Sequence, residues 1–131
     1  MLATLLVKLK EDLELEEVPQ KDPSGRYVFT LNPEQTLFFK EAPPSILLTA
    51  NVGSFPQKDQ EEFCLLVMKG NFLGQGTGNC VLGLDENEKF LTLSSSLPYE
   101  VDYPSFKVAL EEFANFLNYW QGELMAFQEQ S

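Results

Sequence analysis

An apolar stripe near the start of the chain predicts the first helix. Leucines recur there at offsets of 0, 3, 4, 7 and 11 with charged residues between them, which is the spacing of one helical face. The stripe consists of Leu2, Leu5, Leu6, Leu9 and Leu13. We expect this helix to run to about Glu17, because Val18 and Pro19 interrupt the pattern.

Three strands are predicted next, because apolar and polar residues alternate between turn-forming residues. Residues 27–31 alternate after the turn sequence Asp-Pro-Ser-Gly at 22–25. Residues 37–40 form a second, short strand. Residues 46–50, which follow the Pro-Pro pair at 43–44, form a third and more buried strand.

The second half of the chain is predicted to contain a helix, a hairpin and a last helix. The apolar run 63–68 fits either a helix or a strand, but acidic residues before it and glycines after it favour a helix. Residues 81–84 and 90–93 flank a polar connection, which indicates an antiparallel hairpin. From Asp102 onward, apolar residues recur alternately every four and three positions, which predicts an amphipathic helix of about 24 residues.

The predicted order of elements is therefore α-β-β-β-α-β-β-α. The chain has 131 residues, which is the length of one domain, and we take this domain to span residues 1–131. Short turns between neighbouring strands, with helices around them, are typical of the α+β class. We expect a twisted antiparallel sheet covered by helices.

Charge and composition exclude several classes of function. Nine basic and 20 acidic side chains give a net charge of −11, which repels phosphate backbones and anionic lipid. We therefore expect no nucleic-acid partner and no membrane insertion. The chain has no histidine, so Ser-His-Asp and Cys-His catalysis and imidazole metal sites are excluded. We expect no enzymatic activity, no cofactor and no metal.

The cysteines and the start of the chain bear on its location. Cys64 and Cys80 have no second pair to complete a zinc or redox motif, so we expect two buried free thiols. The apolar residues 1–7 are followed directly by charged residues, without a small-residue cleavage site. We therefore expect no secretory signal and a cytoplasmic location.

Two segments imitate ligand-binding motifs. The glycine-rich residues 70–78 lack the lysine of a phosphate-binding loop, and they lie between a helix and a strand, the reverse of the dinucleotide-binding order. Residues 85–90 resemble the opening of an EF-hand loop, but Phe90 stands where a glycine is required. We interpret both segments as structural connections.

One stretch resembles a known family. Residues 71–85 read Asn-Phe-Leu-Gly-Gln-Gly-Thr-Gly-Asn-Cys-Val-Leu-Gly-Leu-Asp. With Leu-Thr-Leu-Ser at 91–94 and a long last helix ending near Tyr119-Trp120, they resemble the Tir chaperone (CesT-like) family, the class I chaperones of bacterial type III secretion. Gly70, where this resemblance leads us to expect alanine, departs from the pattern.

The resemblance implies a cytoplasmic, non-enzymatic homodimer. Such a chaperone needs no ATP and holds the N-terminal region of a secreted effector in extended form. The resemblance places the dimer interface on the helix from about residue 60 to 73 and on the strand 81–84. The predicted interface residues are Cys64, Val67, Met68, Phe72, Val81, Leu82 and Leu84.

Apolar patches on the first helix and the sheet are predicted to bind the effector. The predicted contact residues are Leu2, Leu5, Leu6, Leu9, Phe29, Leu31, Phe38, Ile46 and Leu48. An exposed sheet edge can also add a partner strand through main-chain hydrogen bonds. The leucine stripe has a second interpretation, in which it only covers the sheet as core, and both interpretations can hold together.

Two other functions stay compatible with the sequence. In the first, the chain is one half of a heterodimer with a related chaperone chain. In the second, it is a small non-enzymatic domain that binds a ligand or regulates another protein. Co-purification of two different small acidic chains would select the heterodimer.

Overall fold

The computed structural model describes residues 2–72 and 80–130. It has three helices and six strands within those residues. In chain order they are α1 Leu2–Leu13, β1 Gln20–Lys21, β2 Tyr27–Asn32, β3 Gln35–Ala42, β4 Ser45–Ser54, α2 Gln60–Asn71, β5 Val81–Leu84, β6 Phe90–Pro98 and α3 Tyr103–Gln130.

The six strands form one antiparallel sheet in the order β1-β2-β3-β4-β6-β5. The predicted α+β class and element order are confirmed, and β1 is an additional strand of two residues that the sequence did not predict. Gln20 and Lys21 pair with Val28 and Tyr27. The sheet therefore ends in β1 on one side and in β5 on the other.

The first helix is shorter than predicted. It ends at Leu13, because Glu14 adopts a left-handed conformation with φ of 54° and the Leu15 N–H donates to the Lys10 carbonyl at 3.0 Å. A left-handed residue of this kind is a common helix end. The chain then reaches β1 rather than continuing as helix to Glu17.

The core lies on one face of the sheet, beneath α1 and α3. Side chains alternate between the two faces of a strand, so every second residue of β3 and β4 enters this core. Opposite pairs such as Phe39 and Leu48 face it together. The last helix contributes a stripe of buried residues: Phe106, Leu110, Phe113, Leu117, Trp120 and Leu124.

Polar contacts fix the start of α3. The Ser105 N–H donates to Asp102 Oδ1 at 2.8 Å, so Asp102 caps the helix, and this hydrogen bond lowers the pKa of Asp102. Asp12 Oδ2 accepts hydrogen bonds from Lys107 Nζ at 2.6 Å and from the Tyr103 hydroxyl at 2.8 Å. Burial, together with Asp12, raises the pKa of Tyr103 to about 12.

The two cysteines differ in their surroundings. Cys80 is buried, as predicted, and burial raises the pKa of its thiol. Cys64 is exposed, so the expectation of two buried thiols was wrong for this residue. The apolar run around Cys64 gave no indication of which side of α2 faces the core.

Candidate functional site

Helix α2 is anchored to the domain by one side only. The Phe63 side chain is fully buried, and its ring lies 5.4 Å from that of Phe55 and 4.9 Å from that of Phe127. Gly70 is buried on the same side, because seven residues are close to two helical turns. These two positions define the inner side of α2.

The end of α2 is joined to β5 by a side chain that replaces a neighbouring strand. Asn71 Nδ2 donates to the Leu82 carbonyl at 3.0 Å, and the Leu82 N–H donates to Asn71 Oδ1 at 2.9 Å. Since β5 is the last strand of the sheet, these Leu82 groups point away from β6. Asn71 thus occupies the outer hydrogen-bonding edge of β5 at its second residue.

The outer side of α2 and the adjoining strand expose a group of apolar side chains. We call this group the α2–β5 face, and it consists of Cys64, Leu65, Met68, Phe72, Val81 and Leu84. Met68 is 66% exposed and Phe72 is 62% exposed. Cys64, Leu65 and Met68 fall within about 100° around the helix axis, and Phe72 follows directly after the last helical residue. Apolar side chains gathered and exposed in this way mark a protein-binding surface.

Five of the seven predicted interface residues lie on this face. Val67 is half-buried between the outer and inner sides of the helix. Leu82 presents no free surface: it is 3% exposed and enters the core opposite Leu93, because alternation along β5 turns it away from the side of Val81. Leu84 points to the same side as Leu82 but lies at the end of the strand, where it is 44% exposed. The predicted helix end at Leu73 lies outside the described residues.

Leu65, which is 56% exposed, is a member of this face that was not predicted from the sequence. The signal was present, because Leu65 stands three residues before Met68 and seven before Phe72 and so shares their side of the helix. It was hidden by the unbroken apolar run, in which every residue is equally suited to a core.

Most of the predicted effector-binding residues lie in the core. Seven of them have at most 4% of their surface exposed: Leu2, Leu5, Leu6, Leu9, Phe29, Ile46 and Leu48. The leucine stripe faces inward because α1 packs into the same core as α3. Within the single chain, these seven side chains therefore serve as core.

Leu31 and Phe38 are more accessible, and Phe29 borders a groove. Phe29 is buried, but it forms part of the floor of a groove beside β1. Leu31 is 41% exposed near the end of β2. Phe38 is half-buried on the opposite face of the sheet from the core, and the Arg26 guanidinium lies over its ring at 4.0 Å.

The groove beside β1 has a volume of about 400 Å³ and a mostly apolar lining. Its apolar residues are Leu15, Val18, Pro19, Val28 and Phe29. The Asp22 N–H donates to the Arg26 carbonyl, and backbone groups alternate in direction along a strand. The N–H and carbonyl of Lys21 therefore point away from β2.

A polar cluster holds the turn after β1. Asp22 Oδ1 accepts hydrogen bonds from the Ser24 hydroxyl at 2.7 Å and from the Arg26 N–H at 3.0 Å. Together with the Arg26 side chain at 3.1 Å, these contacts lower the pKa of Asp22 to about 2, with the hydrogen bond from Ser24 as the largest cause. The β1 edge is thus held in place by the hairpin itself.

Two further features of the described residues bear on metal binding and membrane insertion. Residues 2–72 and 80–130 bring together no group of three or more potential metal-ligating side chains. Within the same residues, no helix is long and apolar enough to cross a membrane.

A sequence model of the Tir chaperone protein (CesT) family matches residues 4–121, which is most of the chain. The chain belongs to the CesT family. The resemblance noted in residues 71–85 is confirmed by this match, and membership makes the chain a secretion chaperone, the class predicted from its sequence.

Individual proteins similar to this CesT-family chain support the same fold. A Chlamydia pneumoniae protein, CPj0713/CpB0740, is 27% identical over 126 residues, which cover 95% of this chain and 96% of that protein. The structure of the HopA1-SchA chaperone-effector complex contains a chain that is 23% identical, with a TM-score of 0.70 and 91% of each chain covered.

Two more distant structures show how widely the fold is used. The Yersinia pestis type III secretion chaperone SycH, in complex with a fragment of YscM2, gives a TM-score of 0.69 at 14% identity, covering 92% of this chain and 99% of the other. YbjN from E. coli, a candidate transcription regulator, gives 0.67 at 16% identity, covering 98% and 93%. The fold alone therefore does not define a function.

Proposed function

We propose that this chain is a type III secretion chaperone that works as a cytoplasmic homodimer and binds the N-terminal segment of an effector in extended form. The observation that carries the proposal is the family match over residues 4–121. The chaperone-effector complex of HopA1 and SchA, whose fold this chain shares, supports it. The absence of enzymatic activity, cofactor and metal stays a prediction.

The α2–β5 face supports pairing with a second copy. It exposes large apolar side chains such as Met68 and Phe72 on a chain whose charge is otherwise strongly negative. Two negatively charged copies repel each other through most of their surface, so an uncharged apolar patch is the natural place for them to meet. A two-fold axis through this face would bury it on both copies at once.

The pairing is tested by analytical ultracentrifugation of the purified chain over a dilution series. We expect a species of about 30 kDa, twice the 14.8 kDa chain, at micromolar concentration. A monomer at all concentrations contradicts the homodimer. If native purification yields this chain together with a different small chain in equal amounts, the heterodimer is the correct assembly.

The β1 edge supports binding of an extended segment. Lys21 presents outward backbone groups that an added strand can pair with, and the neighbouring groove offers apolar walls formed by residues such as Leu15 and Val18. Strand addition derives affinity from main-chain hydrogen bonds, while such a groove selects side chains. An extended effector segment would therefore bind across the groove and along β1.

Co-expression tests the effector proposal directly. N-terminal segments of roughly 50 to 100 residues, long enough to wrap a small dimer, are co-expressed from secreted proteins encoded beside this chain. We expect one of them to co-purify, to resist proteolysis and to become insoluble without the chaperone. The corresponding C-terminal domains serve as controls, and their equal capture would contradict selective binding of the N-terminal segment.

A further inference from the structure

Gly70 lies against the largest side chain of the core. A Cβ atom built on Gly70 would stand 2.5 Å from Trp120 Cζ2 and 2.8 Å from Cη2. Trp120 is 2% exposed, so the indole ring has little freedom to move aside. Real side chains do not approach this closely, and glycine is therefore the residue that lets α2 lie this near to α3.

The residues around Gly70 connect this contact to the exposed surface. Asn71, the next residue, makes both hydrogen bonds to Leu82 of β5. Met68 and Phe72, two residues to either side of Gly70, are among the most exposed members of the α2–β5 face. A displacement of the last turn of α2 by a Cβ atom would pull Asn71 from Leu82 and would move Met68 and Phe72 away from β5.

We propose that Gly70 is a positioning residue for partner binding: its close contact with Trp120 fixes the last turn of α2, so that the exposed side chains of Met68 and Phe72 are held beside β5. This inference rests on the proposed pairing through the α2–β5 face. Gly70, which faces the core, would thereby control how tightly the partner binds.

The test compares Gly70→Ala with Gly122→Ala. Gly122 also lies in a helix, but a Cβ atom there would meet nothing within 4 Å, so it controls for the general effect of alanine on a helix. We expect Gly70→Ala to raise the dimer dissociation constant at least about tenfold at a temperature where the protein is folded, and Gly122→Ala to leave it unchanged. Hydrogen exchange at the Leu82 N–H should accelerate only in Gly70→Ala.

A rescue experiment separates positioning from general damage. Phenylalanine lacks the two tryptophan atoms that the new methyl group would meet, so Trp120→Phe makes room for it. We expect the double variant Gly70→Ala/Trp120→Phe to dimerise as tightly as Trp120→Phe alone and to protect the Leu82 N–H equally well. This comparison also holds if Gly70→Ala by itself does not fold.

Each outcome decides one question. If Gly70→Ala lowers the melting temperature but keeps the wild-type dissociation constant, Gly70 serves packing alone and the inference is overturned. If the double variant dimerises much more weakly than Trp120→Phe, the contact with Trp120 is not the cause. A monomeric wild-type chain refutes the pairing itself, whereas Leu82 exchange still reports whether Gly70 positions α2.

Discussion

The two edges of the sheet are held by different interactions. At the β1 edge, a hydrogen-bonded cluster around Asp22 shapes the turn, and the backbone groups of Lys21 point outward beside an apolar groove. At the β5 edge, the Asn71 side chain occupies the outward groups of Leu82, and the exposed side chains are apolar.

This difference teaches which kind of partner each edge suits. An extended chain binds by completing backbone hydrogen bonds, so it fits β1, where such groups point outward. A folded surface binds by burying side chains, so it fits the α2–β5 face, where the edge of the strand is already occupied at Leu82. One sheet can therefore hold an extended effector and a second copy without competition between them.

The largest effect is expected from the core leucines of α1. Changing Leu5 or Leu9 to Ser should lower the free energy of unfolding by about 2 to 5 kcal/mol each, because both are core residues. The same change at Val7, which is 43% exposed on the same helix, serves as the control. Chemical denaturation and effector affinity are measured on the same variants. If a variant has normal stability but binds the effector more weakly per folded molecule, these leucines contact the effector.

The next effect concerns the β5 edge. Met68→Glu or Leu84→Glu should each raise the dimer dissociation constant about 100-fold, since either places an unpaired charge in an apolar contact. Val108→Glu, at a residue of α3 that is 54% exposed, provides the control and should have no effect. Sedimentation over a dilution series measures all three. If all three variants dimerise equally well, the dimer interface does not include the α2–β5 face.

A smaller effect is expected at the β1 edge. Lys21→Pro removes the outward N–H and leaves the Asp22 hydrogen bond to Arg26 in place. We expect effector affinity to fall about tenfold, because about one hydrogen bond to the effector is lost. Dimerisation should stay unchanged. Lys21→Ala keeps the N–H and should bind normally. If both variants bind equally, the effector does not add a strand to β1.

The smallest effect is a pH dependence of the β1 turn. The pKa of Asp22 is lowered to about 2 by hydrogen bonds that its ionised form accepts, so the stabilisation is complete above the ordinary value of 3.8 and is lost as the pH falls through about 2. Asp22→Asn should therefore be less stable than the wild type near neutral pH and equal to it near pH 2. Thermal unfolding across this range measures the difference, and a constant difference would exclude the carboxylate as its cause.

The sequence predicted the periodic elements well because their burial is one-sided. The helix after Asp102 and the hairpin of residues 81–84 and 90–93 have clear apolar patterns, and both are present in the structure. The two residues of β1 have no such pattern. They pair with β2 because the Asp22 turn returns the chain beside it, which depends on specific hydrogen bonds rather than on hydropathy.

The candidate surfaces were harder to predict than the fold. The sequence does not distinguish a core leucine from a surface leucine, so the stripe of α1 was compatible with core packing and with effector binding. In the structure these leucines share one core with α3. The direction of α2 depends on Phe63 and on the packing of Gly70 against Trp120, which are distant in sequence. Such contacts belong to tertiary packing, and no local pattern encodes them.

The Asn71 side chain has a consequence for a protein whose partners are unfolded segments. Sheets with free edges tend to stack into fibres, and a chaperone works among chains that readily form strands. By ending the sheet at Leu82 with a side-chain amide, and at the other edge with a strand of only two residues, this chain offers little backbone for endless growth. Pairing with one extended segment would therefore leave little free strand edge from which an aggregate could grow.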